Sequence, residues 1–165
     1  MLTVDLIQAA FKAIVESHVT RPHFYSVWAE IKDTSADAMH ILCFWRGTDT
    51  TMTALPSFAL RDGFVIDCMF LDQSATDRSS ATRDLHYSRM NAVARQCWAK
   101  FHALYIANST EFQGVEMDFS PEDTSQATFL RVWDVGPSMR TGCLLRVTIL
   151  SGGPTRCEDI YFNAS

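Results

Sequence analysis

The chain has 165 residues, of which 47% are hydrophobic and 12% aromatic, with a formal net charge of −5. That length can bury a core without disulfide or metal staples, so one domain spanning residues 1–165 is expected. The acidic balance argues against a basic nucleic-acid footprint, and no apolar run is long enough to cross a bilayer.

The N-terminus lacks the basic region of a secretory signal, so synthesis in the cytoplasm is expected. Residues 3–19 predict an amphipathic helix. Val4, Ile7, Phe11, Ile14 and His18 share one face, and Thr3 or Asp5 can serve its start. Arg21-Pro22 ends it, because a residue before proline is pushed toward extended backbone. Residues 23–32 alternate, with Tyr25, Val27, Ala29 and Ile31 on one face and Ser26, Glu30 and Lys32 on the other. Phe24 and Trp28 interrupt the polar side. A turn at 33–37 then leads to residues 39–46, MHILCFWR, which are apolar on both faces, as in a central strand. The two segments predict a hairpin.

Residues 47–62, GTDTTMTALPSFALRD, read as a long loop or irregular edge. Gly47, four threonines and Pro56 favour this, and loops of such length are usually functional or flexible. Residues 63–72 return to strand. From Ser80 to Asn108 no Gly or Pro interrupts the chain, and a long helix is expected, spanning roughly 40 Å at 1.5 Å per residue. Its main stripe is His86, Met90, Val93, Cys97, Phe101 and Leu104, widened by Tyr87, Ala94, Trp98 and Tyr105. Residues 112–119 predict a short strand and 120–126 an acidic turn. Residues 127–135 and 141–150 form the clearest hairpin, joined through Gly136 and Pro137. CEDIYF, 157–162, predicts a last edge strand. The order α-β-β-β-α-β-β-β implies an α+β fold: a long central helix on a mainly antiparallel sheet, with an additional N-terminal helix.

Chemistry-bearing motifs are scarce. There is no GxSxG elbow, phosphate-binding loop, GxGxxG or HExxH. His40 and Cys43 are three apart on a strand, which puts them on opposite faces. His86 and His18 read as satisfied, partly buried histidines. Asp67, Asp72 and Asp77 suit turns and caps better than acid–base work. Cys43, Cys68, Cys97, Cys143 and Cys157 lack metal spacing and read as reduced thiols, mostly buried. The adjacent acids make Cys157 a poor nucleophile. Trp28, Trp45, Trp98 and Trp133 read as core. No catalytic residue, cofactor or metal ligand is therefore expected. What is in surplus is apolar residues on strand faces that ought to be polar: Phe24, Trp28, Leu42, Phe44 and Leu144. Either helices cover both sides of the sheet or another chain covers part of it.

From Phe64 to Ile160 the chain resembles the small neck and tail-completion proteins of tailed bacteriophages. The resemblance rests on the strand ending FLDQSATDRSS, the helix RDLHYSRMNAVARQCWAKFHAL, and the late strand TGCLLRVTIL followed by Cys157. It implies a structural virion protein, a tail terminator or head–tail connector, with a long helix against an antiparallel sheet. It also implies a homo-oligomeric ring, taken as hexameric, around the DNA channel, in contact with other neck or tail proteins. DNA would pass through the lumen without sequence-specific binding. The subunit interface is expected at Met52, Leu55, Phe58 and Leu60, through strand addition to a neighbour, and at Phe24, Trp28 and Phe44. The alternative is a small cytosolic enzyme or ligand-binding domain with a pocket between helix and sheet.

Overall fold

A computed structural model describes residues 2–27, 30–31, 40–54, 60–73, 76–120, 127–136 and 138–153. Within the strands, the side chains at 48–49, 51–54 and 60 lie outside that set. The fold is α+β, with two helices and a five-stranded, mainly antiparallel sheet.

Helix α1 covers Val4–Ser17, and the Leu6 N–H donates to Thr3 Oγ1 at its start. That bond satisfies one of the N–H groups a helix leaves open. Its buried face is Ile7, Ala10, Phe11, Ile14 and Val15. His18 caps the other end, its ring held by Thr20 Oγ1 at 2.8 Å and Gln96 Oε1 at 2.7 Å. It is a satisfied, partly buried histidine, as expected.

Strand β1 is only His23–Tyr25, and it pairs in parallel with the start of β2, Leu42–Ala54. The expected hairpin between these segments does not form. Alternation reports which residues share a face but not strand direction, and the long connection from 26 to 41 permits a parallel return. Val27, placed inward by the alternation, is exposed.

The stretch 47–62 also differs from expectation. β2 continues through the threonines to Ala54 and turns back as β3, Leu60–Leu71, in continuous antiparallel register. Threonine is β-branched and favours a pleated strand, which outweighs its value in loops. Gly47 instead marks a bulge: the register shifts between Trp45 and Gly47, whose φ is 143°.

Helix α2 spans Ser80–Phe101 and runs on as a π-helical segment, His102–Ile106. Met90, Val93, Ala94, Cys97 and Phe101 are its buried residues, the phase read from the sequence. The expected strand at 112–119 is a small hairpin, β4 (Glu111–Phe112) and β5 (Val115–Glu116), around Gln113-Gly114. Both turn residues have positive φ. β6 (Thr128–Val135) and β7 (Arg140–Leu150) form the expected hairpin. The predicted strand at 157–162 lies outside the described residues.

Sheet order is β1-β2-β3-β7-β6. Both helices pack on one face, against residues such as Trp45, Ile66, Phe70 and Leu145. The opposite face carries its own apolar cluster of Leu42, Met69, Leu71 and Leu144. Cross-strand pairing aligns Tyr25, Phe44, Met69, Leu144 and Leu130 in one row across all five strands. Leu42, Phe44 and Leu144 of the surplus thus lie on the face that the described helices leave uncovered, whereas Phe24 turns to the helix side and Trp28 lies outside the described residues.

Candidate functional site

β1 covers β2 only as far as Phe44. Beyond the Gly47 bulge, the outer side of β2 has no sheet partner among the described residues. β3 pairs with β7 only from Gly63 onward, so the ends of β2 and β3 project as a two-stranded arm. Its base is fixed by the Ser151 N–H, which donates to the Asp62 carbonyl at 2.9 Å.

The residues expected at an interface are divided by this geometry. Met52 pairs with Asp62, and Leu60 with Ala54, within the arm. Leu55, Phe58 and Trp28 lie outside the described residues. Phe24 turns to the helix side and packs on Trp45 with ring centroids 6.1 Å apart. Phe44 lies on the opposite face, beside Met69. Phe24 and Phe44 therefore do not share a surface.

At the other edge of the sheet stands β6, the first strand of the expected hairpin, with Trp133 expected in the core. Leu130 is 43% exposed and Trp133 54% exposed. The helix side of β6 is fastened to α2 by charge. Arg131 pairs with Asp84 and its guanidinium lies 4.6 Å from the centre of the Tyr87 ring. Asp134 accepts from Arg83 at 3.3 Å, and Arg95 lies 4.5 Å above Phe129. The signal for this edge was in ATFLRVWDV, where apolar residues fall on both faces of the strand.

A charged cluster joins the end of β3 to α2. Asp72 is fully buried, and its Oδ2 lies 2.7 Å from His86 Nδ1 and 3.1 Å from Arg89 Nη1. The His86 approach falls outside the angles of a directed hydrogen bond, so it is a close polar contact rather than a well-aligned bond. Asp72 Oδ1 accepts the Gln73 N–H at 2.8 Å, the local capping role expected of it. The buried Arg140 donates to the Asp72 carbonyl at 3.0 Å and the His40 carbonyl at 2.7 Å. A small polar cleft, with room for about one water molecule, opens beside His86, with Thr82, Arg83 and Thr141 among its walls.

Ser79 is the N-cap of α2, its Oγ accepting the Thr82 N–H, and Asp77 braces that turn, accepting from the Ser79 N–H and the Ser79 and Thr82 hydroxyls. These bonds, led by the Thr82 hydroxyl, hold its carboxyl below the usual range. Asp67 sits between Arg146 at 2.6 Å and Arg46 at 3.8 Å. Cys43, Cys68, Cys97 and Cys143 are free and buried. Burial pushes the Cys97 and Cys143 thiols up to about 12, so they are poor nucleophiles near neutral pH. Among the described residues, no group of three or more His, Cys, Asp or Glu side chains could hold a metal ion. No helix of the described chain is long and apolar enough to cross a membrane. The chain matches no protein-family model and no curated protein sequence.

Proposed function

We propose that this chain is a structural subunit of a tailed-bacteriophage neck or tail, a tail terminator or head–tail connector that forms a ring around the DNA channel. The observation that carries the reading is the arm on a close-packed body, its outer edge having no sheet partner among the described residues. Such an edge recruits another chain through backbone hydrogen bonds, and natural monomers usually blunt it. The resemblance of the β3–α2 and β7 stretches to neck and tail-completion proteins points the same way. In this reading a hexameric ring stops tube growth or joins the tube to the next component. The net acidic subunit lets DNA slide through without binding.

Phe101, Cys97 and their sheet neighbours pack the middle of the α2–sheet contact, so the alternative reading, a small enzyme or ligand-binding domain, has only the small cleft beside His86 to use there. Light scattering and negative-stain microscopy of the purified protein test the proposal. Rings with a central opening are expected, alone or with other tail proteins. A monomer that joins no tail component would overturn it.

A further inference from the structure

We propose that the outer edge of β6 receives the β2 edge of a second copy, so that the sheet continues from one subunit into the next. This rests on the ring reading and names the two surfaces that meet. Four observations carry it.

Among the described residues, the outer side of β2 beyond β1 and the outer side of β6 have no sheet partner, and they lie on opposite sides of one sheet, in the order β1-β2-β3-β7-β6. Joining one to the other is a head-to-tail contact, which a rotation can close into a ring. Bulges leave each edge a regular stretch of similar length. Beyond the Trp45/Gly47 shift, Thr48–Ala54 runs in register, and before the Val132/Val135 shift, Thr128–Val132 does so. A five-residue ladder is roughly 17 Å long at 3.4 Å per residue, an ordinary strand pairing.

Exposed apolar surface lies where an added strand would cover it. Leu130 ends the five-strand apolar row at the open edge, and Trp133 follows on the same strand. Finally, β6 is held by Asp84, Arg83 and Tyr87 of α2, so the receiving edge is fixed before a partner arrives. A fixed edge loses little conformational freedom on pairing.

The test uses the full chain in a Cys157→Ser background. Thr50→Cys protein is mixed with Thr128→Cys protein and treated with a short bismaleimide. Both positions are exposed, while the four described native thiols are buried. Cross-links between the two variants are expected in the mixture, and none in either variant alone. Leu130→Lys should weaken self-association at least tenfold with an unchanged melting temperature. A native protein that forms rings without the mixed cross-link overturns this edge assignment alone. So does Thr128→Cys protein that cross-links to itself, or Leu130→Lys protein that assembles normally. A native protein that remains monomeric alone and with tail components overturns the ring reading and this inference with it.

Discussion

Asp72, at the end of β3, is fully buried while its Oδ2 stands 2.7 Å from Nδ1 of His86 on α2. A carboxylate so placed needs its partners, because desolvation costs more than a lone contact returns. Asp72→Asn should lower stability by about 3 kcal/mol in urea denaturation, the scale for breaking a buried pair. A loss below about 0.5 kcal/mol would be that of an exposed ion pair, and would show that water reaches the cluster.

Phe101 lies among Phe11, Trp98, Tyr105 and Phe119, with ring centroids 5.2 to 6.0 Å away. It joins both helices to the far end of the core. Phe101→Ala should cost about 3–5 kcal/mol, the usual effect of emptying a buried aromatic site. Calorimetry showing an unchanged melting temperature would contradict this packing.

Gly142 opens the late strand, and a Cβ built there would lie 1.9 Å from the Phe70 carbonyl oxygen. That neighbour is backbone in the central strand, so relief requires β3 and β7 to separate. Gly142→Ala should destabilise by about 1–3 kcal/mol, as overpacking does. Normal stability in the variant would mean that the two strands stand further apart.

The buried thiols give a pH dependence with a definite sign. Burial raises Cys97 and Cys143 from 9.0 to about 12, and burial with help from Cys43 also raises Cys68. The folded state therefore holds these protons at pH values where the unfolded chain has released them. Their contribution is intact below about pH 9 and is lost as pH rises toward 12. Melting temperature should fall across that window. At pH 8, iodoacetamide should leave these four cysteines unmodified in the native protein, and mass spectrometry reads this directly.

Deleting residues 49–60 removes most of the arm and the adjoining Asp49–Thr51 of β2, and leaves the residues of both apolar clusters in place. The shortened protein should keep its cooperative melt but form no rings and complete no particles. Normal assembly by the deletion variant would remove the arm from the mechanism.

Local pattern revealed much of this fold. The stripe Met90, Val93, Cys97, Phe101 is the buried stripe of α2, because a 3.6-residue repeat has only one apolar face. The β6–β7 hairpin was legible for a similar reason: alternation and turn residues are both local. At 47–62 the same reasoning failed, because threonines, a glycine and a proline satisfy either a loop or a twisted arm. Only pairing with β3 decides between them.

The sequence by itself determined the class of fold, the phase of both helices and the inward faces of β2, β3 and β7. Those features depend on residues close together in the chain. Tertiary structure alone decided the parallel entry of β1, the separation of Phe24 from Phe44, and the meeting of Asp72 with His86 and Arg89. It also decided which strands stand at the sheet edges, leaving Leu130 and Trp133 exposed on the outermost strand, β6. Strand order is set by which distant segments bury the most apolar surface together, a choice that no single segment records.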